Sequence, residues 1–272
     1  MTPGQTRPQA PGARAPLRVV REPEVYLVGR QSVDSGEVQR FLDRHGLAWA
    51  TDTEVGAEAL AEVGGRLCYM SFGKGRKGNR EFLEHLVEVG HGSVLEHAVW
   101  NFLVAGVSRS LTHELVRHRA GFGYSQLSQR YVNESEVPFI EPDCIAADPA
   151  LDAVWRGAVE AAREAYDTLV AGLERRFTEV EDRTLRRKMA RQAARSVLPN
   201  ATETRILVTA NARALRHFIE MRGSREADEE IRKLALKLLE ILQSESPHLF
   251  GDFVVETQPD GTRVAATPHR KV

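Results

Sequence analysis

Apolar residues recur at helical spacing over Ser35 to His45, Thr53 to Tyr69 and Asn79 to Val89, and each stretch predicts an amphipathic helix. Val19 to Val28 is short and valine-rich and predicts a first strand. The run Ala98 to Ala105 is apolar on both faces, as a strand inside a sheet must be, and Ser108 to Arg117 then returns to helical spacing. A long Ala- and Glu-rich helix is expected from about Leu151 to Phe177, and another from Thr184, read as its N-cap, to Ser196. Thr204 to Thr209 carries a strand signal that passes directly into a helix over Asn211 to Arg222. A last helix is expected from about Ala227 to Leu242. Helices outnumber strands and do not alternate with them regularly. The pattern predicts an α+β fold with a small, mostly antiparallel sheet flanked by helices.

The two ends of the chain lack this periodicity. Residues 1–17 hold Pro3, Pro8, Pro11 and Pro16 among glycines and polar residues, too little apolar surface to offset the entropy of ordering, so a disordered tail is expected there. Residues 259–272 read as a flexible tail for the same reason. No linker composition or repeat interrupts residues 18–258, which are expected to form a single domain.

Composition narrows the function classes. A formal net charge of -1 provides no global field toward nucleic acid or an anionic membrane, so an anion site must come from local arginine clusters. Two cysteines, Cys68 and Cys144, are too few for a disulfide framework or a Cys-rich metal site and suit a reducing compartment. No apolar stretch approaches the roughly 20 residues that span a bilayer, and the N-terminus has no apolar signal core. The expectation is a soluble cytoplasmic protein.

Two motifs are set aside on geometry. Gly73-Lys74-Gly75-Arg76-Lys77-Gly78 has the glycine spacing of a dinucleotide fingerprint, but the segment before it reads as a helix where that fingerprint needs a strand. His113 and His118 stand five apart, about 140° out of line on a helix, where a zincin pair stands four apart and about 40° out of line. No metal site is expected.

Three clusters remain. In His91-Gly92-Ser93-Val94-Leu95-Glu96-His97, Ser93 and Glu96 have the spacing of a capping box, and a helix start flanked by histidines also suits an anion or cofactor. Between Arg117 and Tyr131, the arginines Arg117, Arg119 and Arg130 bracket Gly121, Gly123, Tyr124, Ser125, Gln126, Ser128 and Gln129. Arginine offers a fixed fork of donors suited to phosphate, while serine and glutamine can read a base edge. A solvated basic face would carry more lysine and glutamate. The third cluster is Arg195, Asn211, Arg213, His217 and Arg222, most of it on one strand–helix unit where Asn211 also suits an N-cap. A nucleotide- or RNA-binding module using the same arginines with Tyr124 and Tyr131 for stacking is a competing reading, disfavoured by the near-neutral charge.

These segments together resemble the flavin-dependent thymidylate synthases. The family's Arg-His-Arg signature and its Ser-x-Arg-Tyr element correspond to Arg117-His118-Arg119 and Ser128-Gln129-Arg130-Tyr131. Its upstream His-x-Ser/Thr-x-x-Glu-His pattern corresponds to His91, Ser93, Glu96 and His97. Downstream, Arg195 to Pro199 matches Arg-x-x-Leu-Pro. Asn211 and Arg213 match the family's Asn-x-Arg element, and His217 and Arg222 match the His/Asn and Arg positions beyond it. The match covers roughly residues 60 to 240. One departure is an extra residue between Arg119 and Ser128; others are Gln126 where many relatives have glutamate, Glu114 where many have glutamine, and Glu226 where histidine is frequent.

The resemblance implies that family's fold and the methylation of dUMP to dTMP, with methylenetetrahydrofolate as one-carbon donor and NADPH as reductant through bound FAD. It implies dUMP contacts at Glu114, Leu115, Val116 and Arg117, at Gln126 through Arg130 (Gln126, Leu127, Ser128, Gln129, Arg130), and at Arg195 and Arg222. It implies FAD contacts at His91, Ser93, Glu96, Arg117, His118, Arg119, Gln126, Asn211, Arg213 and His217. Arg222 is the expected catalytic residue, facing the uracil ring and stabilising charge as N3 ionises. Ser128 lacks an adjacent base and is read as a substrate binder, not a nucleophile. The resemblance further implies a homotetramer with shared active sites and no nucleic-acid or membrane partner.

Overall fold

A computed structural model of the protein describes residues 16–74 and 78–272. Strands β1 (Val19–Val20) and β2 (Glu24–Gly29) precede helices α1 (Ser35–Arg44), α2 (Gly56–Tyr69) and α3 (Asn79–Glu88), then a 3₁₀ turn over Gly92–His97. Strand β3 (Val99–Ser108), helix α4 (Arg109–Leu115) and strand β4 (Phe122–Gln126) come next. Strand β5 (Phe139–Ile140), helices α5 (Asp143–Ala146), α6 (Pro149–Arg176) and α7 (Arg183–Ala194), and a 3₁₀ turn at Arg195–Val197 follow. Then come β6 (Glu203–Asn211), α8 (Ala212–Arg222), α9 (Glu229–Glu245), α10 (Pro247–Phe250), β7 (Val254–Thr257) and β8 (Arg263–Ala266). Where composition marks no boundary, the chain clusters into two compact units. One holds Arg21–Leu127 and Glu203–Val272, and the other Ser128–Thr202 with the described residues up to Val20.

The larger unit is built on an antiparallel sheet in the order β2-β3-β6-β4. Alternation along β3 sends Trp100, Phe102 and Val104 inward, where they are fully buried against α8, α9 and α10 residues such as Phe218, Leu238 and Phe250. Burying an apolar side chain of that size is worth about 1.5–3 kcal/mol. The opposite face of the pair carries Tyr26 against Leu103 in register, both exposed, with exposed Val28 two residues on. This is the α+β architecture the periodicity predicts.

Several details differ from the sequence expectation. Val19 to Val28 is two strands in two units, parted around Pro23. β4 was not expected, because Gly123 and Ser125 hide the alternation that turns Phe122 and Tyr124 toward the core. The cap of α7 is Asp182, whose carboxylate accepts from Thr184 N at 2.7 Å, not Thr184 itself. The segment from 259 is no flexible tail: β8 pairs with β7 across a turn at Gly261 (φ +84°), Val264 and Ala265 are buried, and Ala265 N donates to Gly223 O at 2.8 Å. Short apolar runs between polar neighbours conceal that docking in the sequence.

The smaller unit pairs β1 with β5 in parallel and packs Val137, Phe139 and Val159 with Leu17 and Trp155. Leu17 thus has a packed position, whereas the rest of the expected tail up to residue 15, and Gly75-Arg76-Lys77 of the glycine-rich loop, lie outside the described residues.

Candidate active site

Asn211 ends β6 and caps α8, its Oδ1 accepting from Ala214 N at 2.9 Å. That junction fixes the start of a helix whose last residue is Arg222. Ser108 does the same for α4: its Oγ accepts from Leu111 N at 3.0 Å, while its own N and Oγ donate to Glu230 at 2.7 and 2.6 Å. α4 then carries Glu114 toward α8, and the loop beyond it carries Arg117, His118 and Arg119.

These elements bring three of the expected residues together. Arg222 donates through Nη1 to Glu114 Oε2 at 3.0 Å and through Nε to His118 Nε2 at 3.1 Å. His118 sits edge-on against Phe218, with ring centres 5.1 Å apart, and against His217 at 6.1 Å. Tyr124 holds the loop from beneath, its hydroxyl donating to the carbonyls of Leu115 and His118 at 2.8 and 2.7 Å. Burial, reinforced by the nearby Arg222 guanidinium and the His217 side chain, lowers the His118 pKa to about 4, so the ring is neutral at physiological pH. Burial raises the Glu114 carboxyl pKa, and a hydrogen bond with Asp228 raises it further against the pull of Arg222.

Gly121, in the segment between Arg119 and Ser128, has a φ of +74° that turns the chain into β4, and its carbonyl accepts from Asn211 N at 3.1 Å. A Cβ there would lie 2.6 Å from Asn211 Nδ2. Gln126, at the end of β4, donates to Thr112 Oγ1 at 3.0 Å. Leu115 is buried in the core, Val116 is exposed, and Leu127 pairs through its N–H with Arg205 O at 2.9 Å. Arg117 and Arg119 are exposed and have no hydrogen-bond or ion-pair partner among the described residues.

The upstream cluster is corrected in one respect. Gly92–His97 is a 3₁₀ turn without a side-chain cap, so Ser93 and Glu96 form no capping box. Glu96 instead pairs with Arg213 at 2.6 Å, which joins two expected flavin contacts to each other. His91 stacks on exposed Tyr69, ring centres 5.7 Å apart, and Ser93 is exposed. Gly92 is buried, and a Cβ on it would meet Val272 at 2.6 Å and Arg213 Nε at 2.9 Å.

In the smaller unit, Ser128 starts a turn in which Tyr131 N and Val132 N donate to its carbonyl. Gln129 is buried; Arg130 and Arg195 are exposed, Arg130 lies over the Tyr131 ring, and Arg191 Nη1 holds the Tyr131 carbonyl at 2.6 Å. A hydrogen bond from Lys188 lowers the Tyr131 pKa. No base is hydrogen-bonded to the Ser128 side chain among the described residues. Glu226 is exposed.

The donor set suits a flavin dinucleotide and a nucleotide monophosphate. Exposed guanidiniums without carboxylate partners offer sites for phosphate, and Asn211 at the cap of α8, His217 within that helix and neutral His118 on the neighbouring loop offer polar groups. Tyr124 is unavailable for base stacking, since its hydroxyl is fixed inward and Phe122 lies parallel to its ring at 5.6 Å. Asp228, Glu230 and Ser108, which support the cluster, were missed by motif reading; the helix expected from Ser108 marks only where α4 begins.

Comparison with known proteins agrees with this chemistry. The profile of the family described as Thymidylate synthase complementing protein matches residues 51–248. A flavin-dependent thymidylate synthase of Mycobacteroides abscessus is 51% identical over 231 residues, 84% of this chain and 92% of that relative. One from Mycobacterium sp. (strain JLS) is 53% identical over 227 residues, 81% of this chain and 89% of that protein. Among solved structures, a UMP/dUMP methylase from Streptomyces cacaoi bound with 5-Br dUMP has a TM-score of 0.62 at 22% identity, covering 86% of this chain and 96% of its own. That likeness establishes a shared fold.

Proposed function

The chain belongs to the flavin-dependent thymidylate synthase family, and on that footing we propose that it methylates dUMP to dTMP, taking the one-carbon unit from methylenetetrahydrofolate and reducing equivalents from NADPH through bound FAD. The observation that carries this reading is the pinning of Arg222 between Glu114 and His118. With Nε and one Nη1 hydrogen engaged, its Nη2 has no protein partner among the described residues and can donate to an anion.

Facing the uracil ring, that donor stabilises the negative charge that develops as N3 gives up its proton. Electron density then rises at C5, the carbon that takes the one-carbon unit and loses its own proton. The flavin, when bound, supplies the hydride chemistry that no side chain here supplies. His118 is not the base: its Nε2 lone pair is occupied by Arg222 and its pKa lies near 4. Arg117, Ser128, Gln129, Arg130 and Arg195 are assigned to dUMP, with the arginines on its phosphate. Arg119, Asn211, Arg213, His217 and His118 are assigned to FAD; a flavin phosphate would compete with Glu96 for Arg213.

No helix among the described residues is long and apolar enough to cross a membrane, which suits the cytoplasmic assignment. The exposed apolar face of Tyr26, Val28 and Leu103 supports a homotetramer. The test is spectroscopic. Purified protein should show flavin absorption, and NADPH-reduced flavin should reoxidise with dTMP formation only when dUMP and methylenetetrahydrofolate are both present. A protein that takes up no flavin, or makes no dTMP, overturns the reading.

A further inference from the structure

We propose that Glu114 is a positioning residue that aims Arg222; this rests on the assignment of Arg222 above.

The mechanical case starts at Ser108. Its two bonds to Glu230 fasten the first turn of α4 to the first turn of α9. Glu114, six residues along, is therefore carried by a helix whose start is fixed. At the other side, Arg222 is the last residue of α8, beyond which no helix backbone holds it. A long side chain there has many rotamers, and ordering one costs up to about 2 kcal/mol. Glu114 and His118 supply that ordering: a planar guanidinium held at Nη1 and at Nε has its plane and its third nitrogen fixed.

The charge arrangement points the same way. Glu114 faces Arg222 from α4, and Asp228 at the cap of α9 and Glu230 in its first turn face Glu114, while His118 approaches Arg222 from the loop. A carboxylate turned to the uracil would oppose the negative charge that the reaction develops there. Turned to the guanidinium, it fixes a donor. Any acceptor of the right length serves that purpose.

The experiment compares wild type with Glu114→Gln, Glu114→Asp and Glu114→Ala as flavin-loaded protein. It measures kcat, the dUMP dissociation constant by calorimetry, and the melting temperature. Glutamine keeps an acceptor at the same reach, so kcat should stay within about 3-fold. Aspartate keeps the charge one methylene short and should lose about 10- to 100-fold in kcat, as alanine should, because a displacement near 1 Å at a reacting centre can cost about 100-fold. The dUMP dissociation constant should move less than about 3-fold in all three. A dUMP affinity loss of about 10-fold or more with kcat retained makes Glu114 a ligand and overturns the proposal. So does an aspartate variant as fast as wild type. Should alanine fail to fold, the Gln–Asp contrast alone decides. Arg222→Lys separates the premise: if it keeps wild-type kcat, the assignment of Arg222 fails independently of Glu114.

Discussion

Arg222 Nε donates to His118 Nε2 at 3.1 Å, and this bond requires the imidazole to be neutral with its proton on Nδ1. The pKa near 4 arises from burial first, and then from the neighbouring Arg222 guanidinium and His217. An unfolded histidine titrates near 6.5, so as pH falls below that value the unfolded chain takes up the proton first. Stability contributed by His118 is therefore present above about pH 6.5 and lost as pH falls toward 4. Because the ring is only half-buried, about 1–2 kcal/mol is expected after allowance for solvent screening. Chemical denaturation at pH 7 and pH 5 should show this loss in wild type and a smaller one in His118→Gln. Equal losses in the two proteins would count against the bond.

Ser128 shares a turn with Gln129 and Arg130 and has no base hydrogen-bonded to its hydroxyl among the described residues, which supports the proposed role of substrate binder. Ser128→Ala should retain measurable turnover while dUMP binding weakens about 5- to 10-fold, the value of one hydrogen bond of about 1–1.5 kcal/mol. Steady-state kinetics with calorimetric dUMP titration decide it. Complete loss of turnover with dUMP affinity intact would contradict the assignment.

Legibility in the sequence followed the scale of the interaction. The helices from Ser35, Asn79 and Asn211 were readable because periodicity is local, and Asn211 caps α8 as its position predicts. The arginines were readable because their density is unusual against serine and glycine. What stayed hidden depended on tertiary partners. The Glu114–Arg222 pair spans 108 positions, and Glu230 reaches Ser108 over 122. β4 is obscured by Gly121 and Gly123, residues that suggest a loop until β6 lies beside them. The docked β7–β8 hairpin has only Val264 and Ala265 as buried anchors, too short a run to distinguish from a polar tail. Glu96 passed for a cap because capping boxes and ion pairs use the same residue type, and only the fold supplies Arg213.

Gly121 turns directly against the Asn211 cap, and the fit leaves no room. Gly121→Ala would hold an L side chain at φ +74°, a strain of about 1–2 kcal/mol, with its Cβ 2.6–2.8 Å from Asn211 and Ala214. Displacing Asn211 also weakens the α8 cap, typically about 1 kcal/mol. A total near 2–3 kcal/mol should lower the melting temperature by about 5–10 °C. Calorimetry on the flavin-free protein checks this without involving ligand. A change below about 2 °C would mean that the turn relaxes freely and that Asn211 is not clamped by it.

The exposed Tyr26–Leu103 pair, continued by Val28, places three large apolar side chains side by side on one face of the sheet. Scattered exposed apolar residues are ordinary, but a contiguous group on a flat strand pair marks an association surface. The intact protein should therefore sediment well above its chain mass of 30.3 kDa. Leu103→Glu places a charge at the centre of that group, and desolvating an unpaired carboxylate costs several kcal/mol, enough to dissociate the assembly at micromolar concentration. If active sites are shared between subunits, the dissociated variant should lose flavin and turnover together while keeping the far-ultraviolet helix signal of the wild type. Analytical ultracentrifugation paired with visible absorption gives both readings on one sample. A dissociated variant that stays yellow and active would place each complete site within one chain. An assembly unaffected by the charge would move the interface off this face.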